Sequence, residues 1–403
     1  MRFPSGIRAL THRDYRLFWS GQAVSLIGSW MQTVGQSWLV LELTNSPFKL
    51  GAVAALQWMP MLFLSFVGGA LADRMAKRRL IIGTQTALLI QAFVLSGLVW
   101  SGHVRYWHVA VLACLLGIVN TADIPARQSF IVEMVGPEDL INGIALNSAA
   151  FNAARVVGPA VAGLLIARFG IAPAFLLNGL SFLAVIGALL AMRAEGLPRP
   201  RRGTTMAQEI AEGIRYAVAS PRVSLILSLV LAISIFVINY GVMVPLLARD
   251  VLHQDAHGFG LLMAAIGGGA LAGAFALALL GQGRPPLALV ITPAILISAA
   301  TLSLADVRQF WLAATVLGLV GLCHTLFLGS CNTTLQLGAP GELRGRVMGL
   351  YAFVFSGVTP IGSLFMGSVA ETLGVPAAYA AGGGLGLLSV AALVAAWRYR
   401  HRR

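Results

Sequence analysis

The sequence predicts an all-α membrane protein: twelve transmembrane helices arranged as two pseudo-symmetric six-helix bundles. Composition, segmentation and charge bias carry that prediction. Hydrophobic residues make up 58% of the 403 positions and charged residues 11%, with a mean hydropathy of +0.82. Soluble domains carry about 25% charge, so this chain has too little polar surface to cover its apolar residues in water. A bilayer-spanning helix takes about 20 apolar residues, and the chain has room for about a dozen.

Taken in order, the apolar runs place spans at 17–43, 49–72, 80–101, 107–131, 142–167, 173–193, 223–248, 258–280, 286–305, 310–335, 345–369 and 375–397. Turn chemistry punctuates them at Thr44-Asn45-Ser46-Pro47, Gly136-Pro137-Glu138-Asp139, Arg284-Pro285-Pro286 and Ala339-Pro340-Gly341. Twelve spans put both termini on one side. With that side cytoplasmic, inner segments hold 21 Lys and Arg and outer loops hold five: Lys49, Arg105, Arg168, Arg249 and Arg308. That split satisfies the positive-inside rule. The basic start (Arg2, Arg8, Arg13, Arg16) leads into a run too long for a signal-peptide core and lacks a small-residue cleavage site.

The chain divides into an N-terminal bundle (1–193), a cytoplasmic linker (194–222), a C-terminal bundle (223–397) and a basic tail (398–403). The linker holds Pro198-Arg199-Pro200-Arg201-Arg202 and then a short helix, Met206 to Ala219. It reads as a tether, or as an arm drawn to anionic headgroups. A loose internal repeat supports two halves. Pro137-Glu138-Asp139-Leu140 returns as Pro340-Gly341-Glu342-Leu343, and Gly158-Pro159 in the fifth span matches Thr359-Pro360 in the eleventh. Two such halves are expected to pack around a central cavity.

Several local sequences carry a family resemblance. Gly69-Ala70-Leu71-Ala72-Asp73-Arg74-Met75-Ala76-Lys77-Arg78-Arg79 joins the second and third spans. Arg13-Asp14-Tyr15-Arg16-Leu17-Phe18-Trp19 enters the first, Pro125-Ala126-Arg127-Gln128 closes the fourth, and Arg344-Gly345-Arg346-Val347-Met348-Gly349 opens the eleventh. Together they resemble the major facilitator superfamily, in its enterobactin-exporter-like and macrolide-efflux-like branch of drug:proton antiporters. Ala76 stands where that family's loop signature has its second glycine.

The resemblance implies a cytoplasmic latch. Asp73, with Arg74, would sit against the positive N-terminus of the eleventh span, and Lys77 would pair with Glu133, with Arg127 nearby. The plain alternative is a loop that only sets topology. Arg155, Gly158, Pro159 and Gly163 resemble the fifth-span exporter signature, with Ala162 where its second glycine is usual; the plain alternative is small-residue packing. Asp123 and Arg127 stand one helical turn apart and can pair. A charge inside a span faces a partner or a cavity, so Asp123 is the leading proton-coupling candidate, a site for a cationic substrate, or half of a structural ion pair. His324, deep in the tenth span, and Glu42, near the outer end of the first, are further coupling candidates. Gln32, Gln36, Asn239, Tyr240, Thr325 and Asn332, with Trp30, Trp38 and Phe236, are candidate cavity residues or inter-helix hydrogen-bonding groups.

These readings bound the function. The chain is expected to export a small amphiphilic molecule, a drug, macrolide or siderophore, from the bacterial inner membrane in exchange for protons. Its partners are the substrate, protons and membrane lipid, and it is expected to be monomeric. A pI near 10.8 does not signal nucleic acid, because the basic residues sit in short loops. No Gly-x4-Gly-Lys-Ser/Thr loop provides for ATP. Cys114, Cys323 and Cys331 show neither disulfide nor metal spacing. No cofactor and no enzymatic nucleophile are expected. An importer or lysolipid flippase of the same fold is the alternative, and a non-transporting sensor or assembly subunit is the alternative of another class.

Overall fold

The structure, a computed structural model, describes residues 5–198, 206–279, 283, 285–341 and 343–401. Among these every regular element is helical. A 3-10 turn, Ser5–Thr11, precedes α1 (Arg13–Thr44), α2 (Pro47–Arg74), α3 (Lys77–Trp100), α4 (Tyr106–Phe169) and α5 (Ala172–Ala191). The short α6 (Met206–Ala219) leads to α7 (Pro221–Phe236), α8 (Tyr240–Leu246), a π-helical turn at Leu247–Val251, and α9 (Ala256–Leu279). Then come α10 (Ala288–Ser303), α11 (Phe310–Gly338), α12 (Arg344–Ser356), α13 (Thr359–Leu373) and α14 (Val375–His401). Among the described residues nine helical stretches are long and apolar enough to cross a bilayer. The kinked α4 serves as two spans, and with α1 and the shorter α10 the helices accommodate the twelve expected.

Three boundaries differ from the sequence reading. The loop expected between the fourth and fifth spans is a single residue, Gly136, with φ 70° and ψ 175°. Only glycine adopts that conformation readily, and Pro137 bars the helical conformation from the residue before it. The seventh span breaks at residues 237–239 between α7 and α8, without glycine or proline there. Asn239 closes the break by donating its Nδ2 to the Ile235 carbonyl at 2.8 Å, which satisfies an acceptor the helix has released. The eleventh span breaks between α12 and α13. The ring of Pro360 conflicts with the carbonyl four residues back, and α12 ends at that residue, Ser356. Pro159, its counterpart in the internal repeat, stays inside α4. Elsewhere Asn45, left-handed at φ 49°, caps α1 where the turn is expected. The basic linker run Arg199–Arg202, the loop residues Gln282 and Arg284, Glu342 and the tail end Arg402–Arg403 lie outside the described residues.

Backbone contacts divide the chain into two compact units. The first comprises Met1–Asn45, Leu56–Arg201 and Asp255–Ala264; the second comprises Ser46–Ala55, Arg202–Gln254 and Ala265–Arg403. Ser46–Ala55 groups with the second unit and Asp255–Ala264 with the first.

In the first unit α1 packs on α4 and α5, and α3 packs on the same two helices. Tyr15, Phe18, Ile81, Phe130 and Leu189 are fully buried in one core there. Polar groups fasten one end of it. Tyr15 Oη donates to the Gly143 carbonyl at 2.7 Å and Trp19 Nε1 to the Leu146 carbonyl at 3.0 Å. Asp14 Oδ2 accepts the N–H groups of Arg193 and Ala194, orphaned by the end of α5, at 3.1 and 2.7 Å. His12 Nε2 lies 2.8 Å from Asp139 Oδ2, and Arg8 Nε lies 3.1 Å from Asp139 Oδ1. In the second unit α10 packs on α11 and α14, and α7 packs on α12 and α14. The linker helix α6, formed where the sequence places it, is held to α12 by an ion pair between Glu212 and Arg346.

The second arm of α4 meets the start of α9 backbone to backbone inside the first unit. A Cβ on Gly163 would lie 2.8 Å from the Ala256 carbonyl oxygen and 3.1 Å from Gly260 Cα. Gly163→Val is therefore expected to cost about 1–3 kcal/mol by overpacking, read as a lowered melting temperature in detergent. Gly97→Val, where a Cβ meets nothing within 4 Å, carries the same change of helix propensity and should lose much less. Equal losses would remove the close-approach explanation.

Candidate functional site

The site starts from a polar stripe on α1. Gln22, Ser25, Ser29, Gln32 and Gln36 recur at alternating intervals of three and four residues, which puts them on one helical face. That face turns into the first unit. Gln32 donates its Nε2 to Gln91 Oε1 on α3 at 3.0 Å and accepts Asn178 Nδ2 from α5 at 2.6 Å. Gln91 Nε2 reaches the Leu112 carbonyl on α4 at 3.3 Å. Gln36 Nε2 donates to Gln57 Oε1 on α2 at 2.8 Å. Buried amides need such partners, and here the partners join five helices.

The amides line a partly open cavity of about 140 Å³. Gln32, Gln36, Gln57, Asn120 and Asn178 line it, with the hydroxyls of Ser29 and Thr33. Leu88, Leu116 and Phe182 supply its apolar wall, and Arg127 is its charged residue.

Behind Arg127 lies Asp123. Arg127 donates Nε to Asp123 Oδ2 at 2.6 Å, pairs with the same oxygen through Nη2, and reaches Gln22 Oε1 through Nη1. Thr84 Oγ1 and Gln85 Nε2 donate to Asp123 Oδ1 at 2.5 and 3.0 Å. The Asp123 side chain is 0% exposed and that of Arg127 is 18% exposed. The carboxylate is thus sealed by three residues, Thr84, Gln85 and Arg127, and only its cation lines the cavity.

The remaining expected site residues fall in several places. Lys77, buried at the start of α3, lies 2.8 Å from Glu133 Oε1 and donates to the Leu197 carbonyl at 2.8 Å. Asp73 is half-buried and Arg74 exposed at the end of α2. Trp30 does not line the cavity: its ring meets Phe151 edge-on at 5.8 Å and carries the Arg155 guanidinium at 5.8 Å. Gly158 lets α4 close on it, since a Cβ there would reach 2.8 Å from the Ile27 carbonyl oxygen. Pro159 is buried beside it. Glu42 accepts Trp38 Nε1 at 2.7 Å.

Phe236, Asn239, Tyr240, His324, Thr325 and Asn332 belong to the second unit. Tyr240 lines a space there of about 10 Å³, its ring 5.5 Å from that of the buried His324. Phe236 packs edge-on against Phe365. Thr325 bonds back to the Gly321 carbonyl, and Asn332 accepts Gln336 Nε2 one turn on.

Sequence reasoning missed Gln22, Gln57, Thr84, Gln85, Gln91, Asn120 and Asn178. The α1 stripe was the available signal, and Thr84 and Gln91 repeat it at seven residues on α3. Among the described residues no cluster of His, Cys, Asp and Glu could hold a metal.

A partly open cavity inside a frame of membrane-spanning helices fits the class to which the comparisons assign the chain, a multi-pass transporter of the major facilitator type and not an enzyme. A nucleoside transporter shares this fold at a TM-score of 0.74 and 14% identity, over 95% of this chain and 99% of its own. The chain belongs to the transmembrane secretion effector family, whose model matches residues 5–402. It is similar to the multidrug efflux pump Tap of Mycolicibacterium fortuitum, 28% identical over 366 residues and 88% of each chain. It is also similar to the staphyloferrin A transporter of Staphylococcus aureus, 23% identical over 89% of this chain and 90% of that one.

Removing one member of a buried ion pair strands the other. Asp123→Asn should destabilise the protein by about 3 kcal/mol, measured by thermal or denaturant unfolding in detergent. The double variant Asp123→Asn with Arg127→Gln should recover at least half of that loss. Losses that simply add would mean that the two residues do not act as a pair.

Proposed function

We propose that the protein is a secondary active exporter of a small amphiphilic molecule, in the bacterial inner membrane with both termini cytoplasmic, working as a monomer in exchange for protons. The observation that carries this reading is the sealed Asp123 held by an Arg127 that faces the polar cavity. The efflux-pump and siderophore-transporter relatives support a small-molecule cargo, and the asymmetric distribution of basic residues supports the orientation.

Exchange requires that proton and cargo each favour a different state. Protonating Asp123 removes the negative charge that draws the guanidinium back along α4. Arg127 then turns into the cavity and takes the room of the cargo. Losing the proton restores the pair and clears the space. One charge crossing 100 mV supplies about 2.3 kcal/mol, enough for a roughly fifty-fold gradient of a neutral solute at one-to-one coupling. His324, tilted against Tyr240, and Glu42, bonded to Trp38, stand behind Asp123 as further coupling groups.

Inside-out vesicles with an acid interior, offered a panel of labelled lipophilic drugs and siderophores, test the proposal. Wild-type protein should accumulate cargo only with the gradient. Asp123→Asn, which fixes the uncharged form and so leaves Arg127 in the room of the cargo, should lose both accumulation and cargo binding while still unfolding cooperatively in detergent, which separates coupling from folding. Accumulation at more than half the wild-type rate in the variant would move coupling away from Asp123. Uptake in the opposite direction would overturn export.

A further inference from the structure

The chemistry of the cavity restricts the end of the cargo that enters it. Arg127 has five N–H donors; Asp123 and Gln22 engage three of them. One N–H on each terminal nitrogen is left, on the residue that lines the cavity. Asn120 lines the same space and is held by no other side chain among the described residues. Among the described residues the lining holds no carboxylate: it is made of amides, hydroxyls, three apolar side chains and Arg127. Asp123 does not face the cavity, since Arg127, Thr84 and Gln85 take its oxygens.

A positive group entering would meet the guanidinium before it met the carboxylate, and at short range in a low dielectric the nearer charge decides the sign. An acceptor oxygen would instead meet the unused N–H groups, and charge-assisted bonds of that kind are the strong ones. We infer that this cavity is a subsite for an oxygen-acceptor end of the cargo, a carbonyl, hydroxyl or carboxylate, and that it rejects an ammonium. The volume of about 140 Å³ admits such an end and not a whole drug-sized molecule, whose pockets run to about 300–1,000 Å³. The inference rests on the transporter reading above, but it concerns the sign of the field at one place, so it stands or falls without a transport assay.

The test places a thiol in the cavity. In protein with Cys114, Cys323 and Cys331 replaced by alanine, Ser29→Cys or Thr33→Cys is reacted with two methanethiosulfonates, one bearing a sulfonate and the other a trimethylammonium. Each rate is divided by that reagent's rate with 2-mercaptoethanol. The sulfonate should react about fivefold faster on this scale, and the preference should survive Arg127→Lys and vanish or reverse in Arg127→Gln. Equal rates, or a preference for the ammonium, would overturn the inference, and so would a thiol that neither reagent reaches. The Cys variants with Arg127 intact decide the sign even if Arg127→Gln fails to fold. Should the sulfonate preference hold while vesicles show no export, the subsite stands and the export reading fails.

Discussion

A carboxylate without water must be held by something, and in this protein Arg127 holds Asp123. An isolated charge in a low-dielectric interior costs several kilocalories per mole. The first unit meets that cost with three charge-directed contacts from α3 and α4 and a fourth group, Gln22, that steadies the arginine from α1. The amide network above continues the same logic, since each buried amide answers another across a helix boundary. Helix positions in the first unit are therefore set by polar complementarity as well as by packing. Lipid supplies no hydrophobic drive between helices, so directional contacts weigh more there.

Around that centre the chain bends or breaks its helices at particular residues. Gly136 lets α4 turn without a loop, and the N-terminal turn is tied beside it through Arg8, His12 and Asp139. The breaks at residues 237–239 and 357–358 divide helices of the second unit. There Thr325 and Asn332 bond within their own helix. Glycines at close helix approaches, such as Gly163 against Gly260, fix backbone distances that no side chain could.

Most of the frame was legible in the sequence because hydropathy and basic residues directly encode span and boundary. The short linker helix and the Asn45 turn were legible through local chemistry. So was the Asp123–Arg127 pair, since a spacing of four on a helix fixes proximity. The break at Asn239 was not, because neither glycine nor proline marks it and the stabilising bond is made by a residue read as a cavity candidate. The partners Thr84, Gln85 and Asn178 were hidden for a different reason. A single polar residue on an apolar helix looks alike whether it faces a cavity or another helix, and only tertiary packing tells which. The α1 stripe was visible but was read as two glutamines instead of a face.

The most direct test of the account is whether Asp123 itself gains and loses the proton. Infrared difference spectra of the protein in lipid, acid minus neutral, report the carbonyl stretch of a protonated carboxyl group in a dry site. The account predicts such a band in wild-type protein, absent in Asp123→Asn and shifted in Arg127→Lys, where the partner of the carboxyl has changed. A band that persists unchanged in Asp123→Asn would assign the proton to another group and leave the Asp123–Arg127 pair a structural clamp.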